Sequence, residues 1–576
     1  MTIEGIEVTQ AVQDMNHSVA LIAGRRTVIR VYFSVTTDQG FGQISGRLLV
    51  KSAGHDVIVD PSIQSISVLD QWNGNMDSFK RVNVDTSLNF ELPDFLTVEG
   101  SCTISVLQVM DMYRNRATVP CTNADTLTRT VSFTAGAPHR LTIIGLQYTQ
   151  NSTSHAPRQI DLDLIRSWFL RAYPITSLVY STRTVAANFT VTGTAASTAN
   201  TQIAQIRALD ISGGVDKRTH YYGLVFDGAS VTPATGTFMR GLSHTPAGAA
   251  DPSAVGSGPT GSGTFGWDND GSYGDWYTGH EQGHTLGRRH VGGTCGEPGT
   301  LDPNFPFPSG QLSGPTDGFV GFDVGDAAMN IRMQAMDGTV WHDVMGYCAN
   351  QWVSSYTYEA LMDRIGAEDK LPSAGREIPE PNRLIKNDLL VVIGLWNHDA
   401  DAITVTSVDR VRQAWVGEPS AALTAVGLGA RGEELVVGPV VVHPPSEDAP
   451  AAPALVTAVL PVSSQLSRIE FRDGQRVIGS YERVSGFDAV AGARVERRAG
   501  TDQLEWHADV GSAPQVHYHV QASFDGGGTW TTWAVGQRTE SIDLQRIRTE
   551  SGGNPFKVRV TTTDGFDANE EVFDID

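Results

Sequence analysis

The chain has few basic residues for its length and no long apolar run. Its 42 lysines and arginines stand against 64 aspartates and glutamates, and the formal net charge of −22 would repel phosphate backbones and anionic membranes. No apolar run approaches the roughly 20 residues that span a bilayer. The first ten residues have neither a basic leader nor an apolar core, so a signal peptide is absent or has been removed. We therefore expect neither nucleic-acid binding nor membrane insertion.

Cysteine is scarce as well, and its four copies fall into two pairs in different regions: Cys102 with Cys121, and Cys295 with Cys348. An even number in two pairs suggests two disulfides. Because disulfides persist in oxidising compartments, we expect a secreted, extracellular protein. For Cys102 and Cys121 the alternative is a pair of free, buried thiols.

What the chain does contain indicates a multidomain, loop-rich and largely β protein. Its 576 residues exceed what one hydrophobic core usually organises, and 60 glycines and 27 prolines supply many turns. A proline-rich segment at 371–383 predicts a linker. We predict four domains: an N-terminal β-sandwich (1–136), an α+β domain (137–370), a β-rich domain (378–483) and a C-terminal sandwich resembling immunoglobulin or fibronectin type III modules (484–576).

The α+β domain is predicted from a change in apolar periodicity. We expect strands at 139–150 and 219–228, and helices at 161–174, 197–210 and 357–370. The glycine-rich stretch GSGPTGSGTFGWDNDGSYG, residues 256–274, predicts a mobile loop.

Three histidines and a glutamate lie close together directly after that stretch. Asp275 is placed to cap a helix over 276–286, and Gly287 to end it, since glycine tolerates the left-handed conformation. On this helix His280 and His284 are four residues apart, so both imidazoles leave the same face at a separation that suits one zinc ion. A turn at Gly287 would return His290 as the third ligand, leaving the fourth position open for water.

Glu281 lies about 100° around the helix from its neighbouring ligand, so it need not bind the metal. It can instead take a proton from the water that the zinc ion activates, and later return that proton to a leaving amine. The pattern therefore predicts hydrolysis with Glu281 as the general base.

The stretch HEQGHTLGRRH matches the HExxHxxGxxH signature of the metzincin metalloproteases at every fixed position. The chain resembles secreted bacterial metalloendopeptidases with appended immunoglobulin-like or fibronectin-like domains. The resemblance rests on two short motifs, of which this is the first. It implies a metzincin-like catalytic domain flanked by all-β sandwiches, with one catalytic Zn²⁺.

The second motif is WHDVMGYC, residues 341–348, which matches the methionine turn of metzincins. The resemblance implies that Met345 lies beneath the zinc-binding histidines. Tyr347 matches the tyrosine that in astacin-like and serralysin-like members ligates zinc and then supports the oxyanion. Gly346 departs from the histidine usual in those relatives, and the alternative for Tyr347 is a ring packed against the turn. His342 is expected at the surface or behind the ligands.

The metzincin arrangement also brings the segments that carry Cys295 and Cys348 together, which implies a disulfide between them. Closing this loop would contribute about 4 kcal/mol in the chain-entropy model. The competing possibility, that Cys295 is a thiolate ligand of zinc, would occupy the position that hydrolysis requires.

The stretch WDNDGSYGD, which carries Asp268, Asp270 and Asp275, contains a fragment of a calcium-binding loop. The match to an EF-hand fails because Gly279 stands where the bidentate glutamate belongs. We expect a solvated entrance loop here, with Ca²⁺ binding left open through another geometry.

These observations predict a zinc metalloendopeptidase that cuts extracellular proteins or glycoproteins, including mucin-like ones. In metzincins the substrate lies along an edge strand, for which TGTFMRGL, residues 235–242, is the candidate. The alternative from another class is a non-catalytic binding protein or adhesin with a structural or vestigial zinc site. Substrate specificity, latency and oligomeric state are not predicted.

Overall fold

The computed structural model describes residues 1–35, 42–62, 65–68, 75–123, 127–226, 240–262, 267–372, 383–483, 494–497, 502–507 and 516–576. The architecture is multidomain and mostly β, as predicted. In the described ranges no helix combines the length and the apolar character needed to cross a membrane.

The N-terminal region consists of two sheets packed around a core of valine, isoleucine, leucine and phenylalanine side chains. One sheet has the order β1–β4–β8 and the other β3–β11–β9–β5–β6, with β7 beside β5 and β10 beside β9. The strands are β1 (Thr2–Thr9), β2 (Val12–Gln13), β3 (Leu21–Ile22), β4 (Val28–Ser34), β5 (Gln43–Ser52), β6 (His55–Val59), β7 (Ile66–Ser67), β8 (Leu88–Glu91), β9 (Gly100–Asp111), β10 (Ala117–Thr118) and β11 (Thr128–Thr134). Single helical turns lie at Met76–Lys80, Val84–Thr86 and Asp94–Leu96.

The disulfide predicted between Cys102 and Cys121 is wrong, because both cysteines are free. Cys102 lies on β9, where it is paired with Val131 of β11 and is fully buried in the core. Burial raises the pKa of its thiol to about 11, which makes it an unreactive apolar side chain.

The central region is built on a sheet of order β14–β12–β15–β17–β16, in which the first four strands are parallel and β16 is an antiparallel edge. Its elements are β12 (His139–Gln150), β13 (Thr153–His155), α1 (Gln159–Ala172), β14 (Leu178–Ala186), α2 (Ala196–Ser212), β15 (His220–Phe226), β16 (Leu242–Ser243), β17 (Val255–Thr260), α3 (Gly274–Thr285), a turn at Pro308–Gly310, β18 (Val320–Asp323), β19 (Gln334–Asp337), β20 (His342–Asp343), β21 (Gln351–Trp352) and α4 (Ser355–Asp369). The predicted strands and helices of this region all occur, with described ends that differ by at most two residues; residues 227–228 of one predicted strand lie outside the described residues.

The mobile loop predicted at 256–274 is wrong in its first part, since Val255–Thr260 forms the fully buried strand β17. Its glycines are required by close packing rather than by mobility. A Cβ atom on Gly258 would lie 2.2 Å from the hydroxyl of Tyr222, and one on Gly256 would lie 2.3 Å from Oγ of Ser243. Glycine in a strand commonly marks such a close approach.

The C-terminal part holds a seven-stranded sheet of order β23–β22–β26–β25–β24–β27–β28, followed by a three-stranded sheet (β29–β30–β33) and a four-stranded one (β32–β31–β34–β35). The elements are β22 (Arg383–Asn397), β23 (Ala402–Val416), β24 (Leu423–Gly429), β25 (Glu434–His443), β26 (Ala454–Pro461), β27 (Leu466–Asp473), β28 (Arg476–Glu482), β29 (Arg494–Arg497), β30 (Gln503–His507), β31 (His517–Ser523), β32 (Thr531–Gln537), β33 (Ser541–Asp543), α5 (Gln545–Glu550), β34 (Phe556–Thr563) and β35 (Ala568–Ile575). The predicted linker lies mostly outside the described residues.

The C-terminal sheets pack directly on the central region. Apolar side chains of α2 share one buried cluster with those of β22 and β23, among them Ile203 and Val411. Gln205 of α2 donates a 2.9 Å hydrogen bond to the buried carboxylate of Asp409. This docking places the β25–β26 connection, residues 444–453, over the C-terminal half of α3.

Candidate metal centre

Three imidazoles converge at the end of α3, and each is held by a backbone carbonyl. The Nδ1 atoms of His280, His284 and His290 lie 2.7, 2.8 and 3.0 Å from the carbonyl oxygens of Val344, Arg288 and Pro298, respectively. A carbonyl oxygen can only accept, so Nδ1 is the donor in each contact and Nε2 is the nitrogen left to face a metal ion. Such outer hydrogen bonds fix the tautomer and orientation of metal-binding histidines.

The chain turns at Gly287, and this turn brings His290 back to the other two histidines. The φ angle of Gly287 is +83°, in the left-handed region, and the residue ends the helix as predicted. The predicted capping role of Asp275 is wrong. The helix begins two residues earlier than predicted, at Gly274, so that Asp275 lies within the first turn and is 2% exposed. It therefore does not belong to a solvated loop.

The donor set fits a zinc ion. The Nε2 atoms of His280 and His284 are 3.2 Å apart. Two ligands at about 2.0–2.1 Å from zinc in a tetrahedral site are separated by about 3.3 Å, and imidazole with carboxylate is a common donor set for this ion. Two Nε2 lone pairs at this distance cannot hydrogen-bond each other without a proton, whereas a cation between them satisfies both.

A fourth donor lies at the position predicted to be open. The Asp448 side chain, from the β25–β26 connection, has its Oδ2 atom 2.9 Å from Nε2 of His284, and its Oδ1 atom 3.2 Å from Nε2 of His290 and 3.5 Å from Nε2 of His280. The four ligand atoms lie within 4.8 Å of one another. Although burial disfavours its charge, the three histidines hold the pKa of Asp448 well below its usual range.

Tyr347 lies over this cluster. Its ring centroid is 5.0 Å from that of His290, and its hydroxyl donates a short hydrogen bond to Oδ1 of Asp448. Burial, and then the charge of Asp448, raise the pKa of the Tyr347 hydroxyl far above its ordinary value. In this structure the hydroxyl is the donor in its contact with Asp448.

Met345 is fully buried beneath the helix, where its Sδ atom lies close to the position that a Cβ of Gly283 would take. The turn is held by Asp343, whose Oδ1 atom accepts a 2.8 Å hydrogen bond from the backbone N–H of Met345. Asp343 was not singled out from the sequence. His342 lies beside the turn, where its Nδ1 contacts the carbonyl of Ala349 at 3.0 Å rather than the metal centre.

The predicted disulfide between Cys295 and Cys348 is confirmed, with a Cα–Cα distance of 5.2 Å. Beside it, the Glu297 carboxylate accepts hydrogen bonds from the backbone N–H groups of Cys295 (3.0 Å) and Tyr347 (2.9 Å). The disulfide therefore excludes Cys295 as a thiolate ligand and ties the methionine turn to the segment after His290.

Glu281 is 1% exposed and points toward the edge strand β16. Its Oε2 atom accepts a 2.8 Å hydrogen bond from the hydroxyl of Ser243, and its Oε1 atom has no partner among the residues that the structure describes. Burial, and then the nearby charge of Asp448, raise the pKa of Glu281 well above its usual value. Ser243 was not found from the sequence, because a serine in a short edge strand carries no signal of its own.

The edge strand is already paired, and its partner is the segment that carries Asp448. The backbone N–H of Thr245 donates to the carbonyl of Pro444 (2.8 Å), and that of Ser446 donates to the carbonyl of Ser243 (2.8 Å), around an antiparallel bridge between His244 and Pro445. The substrate-binding edge strand was predicted at residues 235–242. Residues 235–239 of this range lie outside the described residues, and Leu242 is the first residue of β16.

A second cluster lies at the other end of α3. One carboxylate oxygen from each of Asp268, Asp270 and Asp275 lies within 4.8 Å of the others, beside a cavity of about 270 Å³. The cavity is also lined by Trp168, Trp267, Trp276, Trp341 and Trp352. Burial, and then the charge of Asp270, raise the pKa of Asp268 to about 7.

A scan against protein-family models finds no match to this chain, and a search among curated proteins finds no similar sequence.

Proposed function

We propose that the protein is a secreted zinc-dependent metalloendopeptidase of the metzincin kind. The observation that carries the proposal is the convergence of three Nε2 atoms beside Glu281, a buried carboxylate with one unpartnered oxygen. A purely structural metal site has no use for such a group, whereas hydrolysis needs a base within reach of the attacking water.

The surrounding fold supports the same proposal. Helix α3 carries two of the three histidines, and Met345 is buried below them, which supports the roles that the two sequence motifs imply for these residues. The three-stranded and four-stranded sheets at the C-terminal end are compatible with the immunoglobulin-like or fibronectin-like module predicted for 484–576.

His280, His284 and His290 would hold the ion, and when bound it would supply a Lewis acid that polarises the scissile carbonyl and acidifies water. Glu281 accepts a proton from that water and gives it to the leaving amine, so that one peptide bond and one water become a carboxylate and an amine. Ser243 fixes the Glu281 carboxylate by its hydrogen bond to Oε2. The Tyr347 hydroxyl donates to the oxygen that gains charge.

The substrate we propose is an extended peptide segment of an extracellular protein or glycoprotein, mucin-like proteins included. The backbone groups of residues 243–245 form hydrogen bonds with an extended strand, which supports recognition of main chain rather than of a folded surface.

The test is a comparison of new peptide ends after a mixed extracellular proteome, glycoproteins included, is incubated with the wild type or with Glu281→Ala. Zinc content is measured in both proteins, and Glu433→Ala, an exposed turn residue, is the control. We expect ends that the wild type and the control make and that Glu281→Ala does not. Cleavage by Glu281→Ala at the wild-type rate would contradict the proposal.

A second candidate function is supported by Asp448. A site closed by four protein ligands, with no position left for water, is typical of structural zinc, which here would lock the C-terminal sheets onto the central region. On this reading the protein is a binding protein or adhesin.

A further inference from the structure

We propose that residues 444–448 are a built-in inhibitor of the peptidase, with Asp448 as the fourth ligand of the zinc ion in the resting protein. This inference rests on the proposed function. The segment satisfies two requirements of a bound substrate at once, since it pairs with the edge strand and reaches the metal centre.

The contacts on both sides of Asp448 hold the segment in the cleft. Ser446 is fully buried, and its hydroxyl donates a 2.9 Å hydrogen bond to Oδ2 of Asp448. Glu447 extends toward Arg289, with 3.7 Å between Oε1 and Nε. At its start the segment is anchored by His443, whose Nε2 lies 2.9 Å from the buried carboxylate of Asp251.

The chemistry of the ligand explains why the segment would be bound without being cut. Asp448 reaches the histidines with its side-chain carboxylate, which is an anion and a poor electrophile. A carboxylate on the fourth position also takes the place that water and a peptide carbonyl need. The Tyr347 hydroxyl is bonded to the same carboxylate, so it cannot donate to a substrate at the same time.

Tethering makes this inhibition effective. The C-terminal sheets pack on α2 through a buried apolar cluster, which places the segment at its site without a bimolecular step. A tethered group of this kind has an effective concentration on the order of millimolar or more. Pro450 and Ala451, at the tip of the connection, are exposed, so a partner or a protease can reach the connection without undocking the sheets.

Two readouts test the inference with Asp448→Ala, and with Asp388→Ala as a control at an exposed aspartate of the same sheet. The first is kcat/KM on a fluorogenic peptide library at equal zinc content. We expect Asp448→Ala to exceed the wild type and the control by about tenfold or more, because removing a closed state raises the competent fraction. Equal or lower turnover by Asp448→Ala would overturn the inference.

The second readout does not need catalysis. In cobalt-substituted proteins, the visible spectrum is followed while acetohydroxamate is added. We expect Asp448→Ala to respond at concentrations about tenfold lower than the wild type, which must first release its carboxylate. Identical titrations would overturn the inference. Asp448→Asn repeats both measurements with a side chain of nearly the same volume, in case the alanine variant does not fold.

The two readouts separate the inference from the function on which it rests. A spectral difference without cleavage by any variant supports the Asp448 ligand and contradicts the peptidase. Cleavage by the wild type at the rate of Asp448→Ala, with identical titrations, supports the peptidase and contradicts the inhibitor.

We infer independently that Asp268, Asp270 and Asp275 bind a divalent cation of the calcium type. The observation that points to a ligand is Asp275, which is 2% exposed and whose Oδ1 atom has no hydrogen-bond partner among the described residues. Oδ2 of Asp268 is likewise buried and unpartnered there. Burying such oxygens without a partner is costly, and a hard cation with oxygen ligands removes that cost.

The neighbouring positive charge does not neutralise the cluster. Arg171 lines the same cavity, but its guanidinium is paired with the carboxylate of Asp323. The cavity beside the carboxylates leaves room for the waters that complete a coordination shell of about six to eight oxygens. Its opening to solvent and its acidic lining favour Ca²⁺ over a transition metal.

The test uses the zinc-loaded protein and Tb³⁺, a calcium analogue whose luminescence is excited through nearby tryptophans. Trp267 and Trp276 line the same cavity as the carboxylates, so bound Tb³⁺ should emit and Ca²⁺ should displace it. We expect Asp275→Asn to weaken Ca²⁺ binding by about tenfold or more, and Asp473→Asn, an exposed control, to leave it unchanged. No sensitised emission, or the same Ca²⁺ affinity in Asp275→Asn as in the wild type, would overturn the assignment.

Discussion

Helix α3 carries a buried aspartate in its first turn and two of the three clustered histidines toward its end, and the two candidate donor sets are supported in different ways. Each histidine ring is fixed through Nδ1 by a carbonyl, and the adjoining turn is tied down by a disulfide. The aspartates instead have buried oxygens without partners in the described structure. If both proposals hold, the histidine set is preformed for its ion, whereas the aspartate set gains stability from its ion.

The largest effect that we expect concerns the disulfide, which adjoins only the histidine cluster. Replacing Cys295 and Cys348 together with serine should lower the free energy of unfolding by about 4 kcal/mol, from the entropy of the released loop. Urea unfolding measures this loss. Tb³⁺ binding at the aspartates should not change, and a parallel loss there would show that the two clusters are not supported separately.

Gly279 lies between the two clusters, against a tryptophan that lines the aspartate cavity. A Cβ atom at this position would lie 2.3 Å from the ring of Trp168. Gly279→Ala should therefore destabilise the protein by about 2 kcal/mol through overpacking. Thermal unfolding would show this, and unchanged stability would mean that the Trp168 ring moves aside freely.

The aspartate cluster should respond to pH in the absence of a divalent cation. Because burial raises the pKa of Asp268 to about 7, from an ordinary value of 3.8, the folded state holds its proton longer than the unfolded state does. The stability from this group is complete below about pH 4 and falls by about 1.4 kcal/mol per pH unit up to about pH 7.

Urea unfolding at pH 5 and pH 7, with chelator or with Ca²⁺, measures this dependence. Ca²⁺ should flatten the profile, and Asp268→Asn should make it shallower without Ca²⁺, because burial also raises the pKa of Asp270 and of Asp275. A profile that is the same with and without Ca²⁺ would contradict the cation site.

The smallest effect that we expect is that of replacing Tyr347 with phenylalanine. It is measured in the Asp448→Ala background, in which the Tyr347 hydroxyl no longer has Asp448 as its hydrogen-bond acceptor. Tyr347→Phe in that background should lower kcat by about tenfold, the value of one hydrogen bond of about 1.4 kcal/mol to a developing charge. KM should change little. Full activity would show that the ring only packs against the turn.

The sequence predicted the histidine end of α3 better than the aspartate end, for physical reasons. His280, His284, Gly287 and His290 are close in the chain, and helix periodicity alone relates their directions. Asp448 lies 158 residues after His290, and only the docking of the C-terminal sheets brings it to the histidines. A single aspartate in a proline-rich connection has no local pattern that marks it as a ligand.

The local sequence pattern also failed to predict which segments are buried. The glycines of 255–260 predict a loop by composition, yet they form the buried strand β17 because neighbouring side chains occupy the space of a Cβ. Asp275 was expected at a solvated helix start and is buried in the first turn of α3. Cys102 and Cys121 are near each other in the chain, yet they stay free.

The most direct test of the central claim, a zinc peptidase held closed by its own chain, is the set of new peptide ends made by Asp448→Ala and by Asp448→Ala/Glu281→Gln. Both proteins, at equal zinc content, are incubated with the mixed extracellular proteome. The account predicts many new ends with the single variant and at least about a hundredfold fewer with the double variant, the size expected for a lost general base. Identical sets of ends from the two proteins would contradict it.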